Sequence, residues 1–374
     1  MADAEVYSPG LEGVIAGETA ISTVAGGLKY RGYPVTELAE LTTFNEVAYL
    51  LLHGELPAAA QLGAFHQRLA EASKLPEALD RLYQALPATA NQMDVLRTSV
   101  STLALYDPET ADDSRAANLR KAERLLAQIP LALASFHRYS KGLKPVPPKP
   151  SSGLAANLLY MIRGTEASAA EVRAFDVALI LYAEHEFNAS TFTARVVSST
   201  ESDLHSSIVA AIGALKGRLH GGANEKAMEV LEQAGGPDTA EKWVTDALAR
   251  KERIMGFGHR VYKAGDVRAG VLKEYAHRMA AEHGETKWEE TAAIIERILE
   301  REKHLFPNLD WPAGRLFHAL GLETSLYTPI FVASRVAGWS AHVIEQLGHN
   351  RLIRPRARYT GPDVRKVISL AQRG

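Results

Sequence analysis

From Thr43 to Leu347, leucines and alanines recur at steps of three and four residues in segment after segment, and almost nothing alternates with period two. Such spacing gathers apolar side chains on one stripe of a helix, and each stripe must be buried against another helix. Helices are expected over 58–73, 76–86, 93–106, 114–139, 154–162, 169–183, 204–215, 223–233, 239–251, 267–283, 287–301 and 324–347, the last broken at Gly338. An earlier helix follows Thr43-Phe44-Asn45-Glu46, which has capping-box spacing, and stops at Gly54. Ahead of it, Val14-Ile15, Ala20-Ile21 and Val24 surround turn residues, and Gly26-Gly27 leads into Leu28-Lys29-Tyr30-Arg31, the pattern of a small hairpin. The four prolines of Lys144-Pro145-Val146-Pro147-Pro148-Lys149-Pro150 lack donors and fix φ, so this stretch is a surface loop. No solenoid repeat is present. The fold class is mainly α, with a small β element near the N-terminus.

A chain of 374 residues, 46% hydrophobic and 23% charged, is too apolar to stay disordered. Its length suits two or three lobes, or one lobe with an insertion. Lysine and arginine number 42 against 44 acids, a net charge of −2, so no overall field draws it to nucleic acid or anionic lipid. A small-molecule partner becomes the default. With no cysteine there can be no disulfide, thiolate nucleophile or cysteine-ligated metal. The acidic start Met1-Ala2-Asp3-Ala4-Glu5-Val6 lacks the features of a secretion signal, and the longest apolar stretch, near 177–183, falls short of a membrane span. A cytoplasmic enzyme is the expectation.

Several familiar signatures fail. Gly256-Phe257-Gly258 has Val261 where a dinucleotide fingerprint needs its third glycine. His185-Glu186 is followed by Ala189 where a zinc-hydrolase helix needs a second histidine, and no Gly-x-Ser-x-Gly elbow occurs. Three segments place histidine among small, glycine or polar residues: Tyr182-Ala183-Glu184-His185-Glu186-Phe187-Asn188, Leu219-His220-Gly221-Gly222-Ala223-Asn224 and Gly256-Phe257-Gly258-His259-Arg260. Glycine beside histidine lets backbone approach a ligand closely. One such segment is better explained by a structural turn; three together point to a site.

These residues resemble the citrate synthase family. The likeness runs from Gly10-Leu11-Glu12-Gly13-Val14 and Tyr30-Arg31-Gly32-Tyr33 through Arg354-Pro355-Arg356, and its most specific segments surround His185, His220, His259, Arg335 and Arg354. The resemblance implies a homodimer with a two-domain helical fold. The large domain would comprise 1–221 and 322–374, and a small domain, 222–321, would close over the substrates. It implies a tricarboxylic acid cycle enzyme that condenses acetyl-CoA with oxaloacetate and hydrolyses the product thioester to citrate, with no cofactor and no metal. The same machinery serves 2-methylcitrate synthase, which uses propionyl-CoA, and one methylene shifts selectivity by only ~1–3 kcal/mol.

By the same resemblance Asp310 is the base that removes a methyl proton, and His220 is the donor that stabilises the carbonyl oxygen. His259 would polarise the ketone of oxaloacetate. A lone aspartate after Asn308-Leu309 can equally be a turn or cap residue. His220 has to stay neutral, and a helix starting just after Gly221-Gly222 would bring a positive end near its ring. Arg268, Arg335 and Arg354 match the family's oxaloacetate positions, Arg354 reaching across from the partner subunit, and His185 completes the set. The backbone of Met255, Gly256, Phe257 and Gly258 would hold the adenine of CoA, and Lys263 is either a phosphate contact or a solvated side chain. His342 and Trp339 read as structural. Where the family continues from its aspartate with an aromatic residue, tyrosine and serine, this chain has Trp311-Pro312-Ala313, a change of bulk beside the base. Pro312 is a candidate start for the next helix.

Overall fold

The computed structural model describes residues 7–259, 261, 262 and 265–373. Near the N-terminus, β1 (Ser22–Thr23), β2 (Lys29–Tyr30) and β3 (Tyr33–Pro34) form an antiparallel sheet in the order β1-β2-β3, with Ser22 opposite Tyr30 and Lys29 opposite Pro34. The expected hairpin is thus extended by a third short strand. Sixteen α-helices follow among the described residues. The first ten are α1 (Val35–Leu41), α2 (Phe44–His53), α3 (Ala59–Ala72), α4 (Glu77–Ala85), α5 (Gln92–Tyr106), α6 (Arg115–Ser140), α7 (Leu154–Arg163), α8 (Ala169–Tyr182), α9 (Ala189–Ser198) and α10 (Leu204–Leu215). The rest are α11 (Ala223–Ala234), α12 (Pro237–Ala249), α13 (Val267–Glu282), α14 (Lys287–Lys303), α15 (Asp310–Ala319) and α16 (Tyr327–Gly348). No described helix is long and apolar enough to cross a membrane.

Helix starts follow local side-chain chemistry. Thr43 and Glu46 close a reciprocal capping box on α2, and Ser168 and Glu171 do the same on α8. Asn188, Asp203 and Asp266 cap α9, α10 and α13. Periodicity placed most helices to within a residue or two. It marked no separate α1 and passed over α9 and α15, which open with short polar or proline-bearing turns, and α15 begins at Asp310, two residues before Pro312.

α16 runs through Gly338 without the expected break. Glycine serves close approach here: a Cβ at 338 would overlap the Ala183 carbonyl oxygen and Oε2 of Glu184. α16 is buried along nearly its whole length and packs on α2, α6, α8, α9 and α10. Helices α11 to α15 pack chiefly on one another, and meet the rest where α13 touches α1 and α8, where α15 touches α8 and where α11 touches α16. His185, His220, His259, Arg268, Asp310 and Arg335 cluster along that seam.

Candidate active site

The loop from α10 to α11 carries His220. Its turn is fixed by the His220 N–H donating to Gly217 O at 2.8 Å and the Gly221 N–H donating to Leu215 O at 2.9 Å. The imidazole Nε2 lies 2.8 Å from Ser190 Oγ and receives the Ser190 backbone N–H at 3.3 Å. Ser190 Oγ also lies 2.8 Å from Asn188 Oδ1 and accepts from Trp339 Nε1 at 3.1 Å, its one proton being directed to Nε2 when that nitrogen is an acceptor. A backbone amide can only donate, so Nε2 offers its lone pair and the neutral ring carries its proton on Nδ1. α11 does begin at Ala223, but the helix end touching the imidazole is the start of α9. The positive end expected from the glycine pair is therefore supplied by a helix that periodicity missed. Burial, then the Arg335 charge, push the His220 pKa down to about 3.

Asp310 is the first residue of α15. Its carboxylate Oδ1 accepts the Tyr182 hydroxyl at 2.8 Å, and its own N–H donates to Asn308 Oδ1 at 3.1 Å. Burial raises the carboxyl pKa to about 6, against the pull of the Tyr182 hydrogen bond and the Arg268 and Arg335 charges. The tyrosine ring packs 4.3 Å from Phe331, and the His220 ring lies 6.2 Å from the same phenylalanine, so His220 and Asp310 flank one aromatic wall.

His259 and His185 form an imidazole pair, with ring centroids 5.2 Å apart. Nδ1 of His259 accepts the Val261 and Tyr262 backbone N–H groups at 3.0 and 3.3 Å, leaving the proton on Nε2. Nε2 of His185 is hydrogen-bonded to the Tyr262 hydroxyl at 2.9 Å. Burial, with Arg268, Arg335 and His259 nearby, holds His185 well below the usual histidine range, so it is neutral.

Two arginines belong to this cluster and differ in their partners. Arg268, 5% exposed, pairs bidentately with Asp266 at 3.0 and 2.8 Å. Asp266 Oδ2 also accepts the Leu309 N–H at 3.2 Å, so one carboxylate caps α13, anchors an arginine and fixes the residue before Asp310. Arg335, 2% exposed, donates from Nε to the Tyr182 carbonyl at 2.6 Å and lies 4.6 Å over the Phe331 ring. Its buried Nη1 finds no partner among the described residues. Burial lowers its pKa to about 10, still well above neutrality, against the favourable charge of Glu184. A buried guanidinium with an unfilled N–H is a seat for an anion.

The 255–258 loop is tied down by the Gly258 N–H donating to Phe306 O at 2.9 Å and the Asn308 N–H donating to Gly256 O at 2.9 Å. Trp311, fully buried, packs 4.6 Å from Phe257 and donates from Nε1 to Glu296 at 2.8 Å. Trp311, which fills the aromatic place after the aspartate, therefore packs against this loop, within the α11–α15 group. Arg354 is exposed in the extended segment after α16 and makes none of the contacts joining the other residues. Lys263 lies outside the described residues.

His342 and Trp339, expected to be structural, each hold neighbouring polar side chains. His342 bridges Glu184 and Arg195, each at 2.9 Å, and Trp339 holds Ser190. Sequence reasoning gave no task to Tyr182, Ser190, Tyr262, Asp266 or Phe331. Tyr182, Ser190 and Tyr262 stand within or directly beside the histidine segments, and that adjacency was the available signal.

The profile of the family described as "Citrate synthase, C-terminal domain" matches residues 10–356. Citrate synthase 2 of Bacillus subtilis (strain 168) is 47% identical over 366 residues, covering 97% of this chain and 98% of that one. The 2-methylcitrate synthase of Shewanella oneidensis is 45% identical over 378 residues, covering 100% of both. Among solved structures, citrate synthase from Thermotoga maritima MSB8 superposes with a TM-score of 0.88 at 39% identity, covering 99% of this chain and 100% of that one. The Thermoplasma acidophilum citrate synthase, solved as a ternary complex with carboxymethyl coenzyme A and oxaloacetate, gives 0.93 at 34% identity, with 99% and 100% coverage. With a family profile spanning most of the chain and relatives aligned end to end, the chain belongs to the citrate synthase family of acyl-transferring enzymes.

Proposed function

We propose that this enzyme condenses acetyl-CoA with oxaloacetate and hydrolyses citryl-CoA to citrate and CoA. The observation that carries this reading is the buried, unfilled Nη1 of Arg335, in one cluster with an up-shifted carboxylate and two imidazoles whose tautomers are fixed. Oxaloacetate is a dianion, and Arg335 and Arg268 supply guanidinium forks for its carboxylates, with His185 beside them. Arg354 would complete that set from the partner subunit of a homodimer.

The Asp310 carboxylate removes a proton from the thioester methyl group while His220 Nδ1–H donates to the thioester oxygen. The negative charge that leaves carbon is thus met by a hydrogen bond already in place. The enolate carbon attacks the ketone of oxaloacetate, which is polarised by His259 Nε2–H, and the new alkoxide takes that proton, the ring being reprotonated with the proton that Asp310 removed from the methyl group. Water then cleaves the citryl thioester, its hydroxide going to the acyl carbon and its proton to the departing thiolate. Neutral His220 suits this sequence, because a charged ring would hand over its proton before carbon–carbon bond formation.

The 255–258 loop would hold the adenine by its edge facing away from Phe306, and Lys263 is either a phosphate contact or a solvated side chain. Residues 222–321 would move as the small domain. The substrates are small molecules, no resident cofactor is required, and the enzyme would serve the tricarboxylic acid cycle in the cytoplasm.

A second reading, 2-methylcitrate synthase, is favoured by the near-equal identity of the Shewanella oneidensis relative. Following CoA thiol release from acetyl-CoA and from propionyl-CoA, each with oxaloacetate, tests both. A higher kcat/KM for acetyl-CoA is expected. A propionyl preference would assign the second reading, and no release from either would overturn both.

A further inference from the structure

Tyr182 closes α8, is 2% exposed, and faces two ways. Its hydroxyl donates to Asp310 Oδ1 at 2.8 Å, while its backbone carbonyl accepts Arg335 Nε at 2.6 Å. The ring is held between Phe331, at 4.3 Å, and Phe317, at 6.5 Å. One residue therefore touches both the proposed base and the proposed substrate clamp.

We propose that Tyr182 is a positioning residue for the base: its hydroxyl holds Oδ1 of Asp310, so that Oδ2 is the oxygen presented to the acyl α-proton. This rests on the reading of Asp310 as the base. A carboxylate turns readily about its terminal torsion, which is broad and two-fold. Here the hydroxyl of Tyr182 opposes that turn: it holds Oδ1, and its ring packs against Phe331 and Phe317, while the Asp310 N–H bond to Asn308 fixes the backbone from which the carboxylate projects. Tyr182 remains a donor throughout, because burial and the adjacent carboxylate push its own ionisation far above the working range. In the step itself the α-proton passes to Oδ2 and the electron pair of the C–H bond to the enolate, while the tyrosine proton stays where it is. The bond also ties α15 to α8 across the proposed domain boundary, so the base is aligned only when those helices are seated.

Tyr182→Phe tests this, because phenylalanine keeps the ring and the carbonyl that Arg335 uses. Expected are a kcat lower by roughly 10- to 100-fold, an acid limb of kcat/KM moved upward by about one pH unit, and an unchanged KM for oxaloacetate. Wild-type kcat with an unmoved limb overturns the proposal. So does a joint loss of kcat and oxaloacetate affinity at an unmoved limb, which is the mark of mere packing. Fluorotyrosine at position 182, a stronger donor of nearly the same shape, is expected to move the limb downward; an unmoved limb there also overturns it. Asp310→Asn assayed alongside separates the two layers. If that variant is inactive while Tyr182→Phe behaves as wild type, only the positioning role falls; if it turns over normally, the base assignment falls first.

Discussion

The backbone N–H of Ser190 points at Nε2 of His220 from 3.3 Å, and the same serine's hydroxyl lies 2.8 Å from that nitrogen. The amide is one of the donors that the start of α9 leaves without an intrahelical acceptor. By occupying Nε2 it directs the ring proton to Nδ1, and the helix end opposes a second proton.

His220 is therefore expected to be a neutral Nδ1–H imidazole from pH 8 down to about pH 5, since its folded pKa of about 3 lies well below that window. A nitrogen-15 NMR titration reads this directly, and a charged ring at pH 6 would be the wrong outcome. Ser190→Ala keeps the amide but strips the hydroxyl that Trp339 and Asn188 hold. We expect kcat to fall about tenfold, the worth of one hydrogen bond, with oxaloacetate KM unchanged in steady-state kinetics.

Arg335 should dominate substrate affinity, because its open Nη1 is buried and its Nε is already committed to the Tyr182 carbonyl. Arg335→Leu is expected to raise the KM for oxaloacetate roughly 100- to 1000-fold, the scale for losing one partner of a buried charge pair. At saturating oxaloacetate kcat should change far less. Arg335→Lys recovers little, since a single ammonium cannot serve the carbonyl and a substrate carboxylate with the geometry of a fork.

The class of the fold was legible because helical periodicity is a local property of the chain, and the Thr43 capping box and the 144–150 loop appear where local chemistry puts them. Gly338 misled because a glycine inside a helix reads as a weak point. Its reason is Glu184, 154 positions earlier in the chain, which no local pattern contains. The site was legible as segments but not as contacts. The His220 segment gives no hint that α9 supplies its amide, and the asparagine-leucine-aspartate run gives none that Tyr182 holds the base. Those pairings are set by tertiary packing, which also decided that Arg268 has a carboxylate partner while Arg335 keeps Nη1 open.

Asp310 carries a stability cost that its substitution should reveal. A carboxyl whose folded pKa is about 6, raised from 3.8, penalises the native state once it is ionised. The sign follows. Below the unfolded pKa the group is protonated in both states and costs nothing; the penalty grows as pH rises and is complete above the folded value. Asp310→Asn, whose side-chain oxygen can still accept from Tyr182, should be more stable than wild type by on the order of 1–3 kcal/mol at pH 7.5. The two should converge below about pH 4. Chemical denaturation at both pH values checks this, and a gain that persists at pH 4 would assign it to another cause.

Two glycines in helix interiors should respond to alanine in opposite directions. At Gly338 a Cβ would overlap the Ala183 carbonyl and Oε2 of Glu184, whose Oε1 is held by Ser22 at 3.0 Å and His342 at 2.9 Å. Neither a helix-end carbonyl nor a carboxylate pinned in this way can step aside cheaply, so α16 would have to move off α8. Gly338→Ala should cost at least ~3 kcal/mol, as overpacking of a rigid core does, and oxaloacetate affinity should drop with it because Arg335 rides on the same face one turn earlier. Gly63, on the exposed side of α3, has nothing within 4 Å of its added Cβ. There alanine only removes unfolded-state freedom and should stabilise by about 0.5–1 kcal/mol. Denaturant melts of the two variants decide the matter: a Gly338→Ala protein as stable as wild type would mean that the contact between α8 and α16 is looser than described.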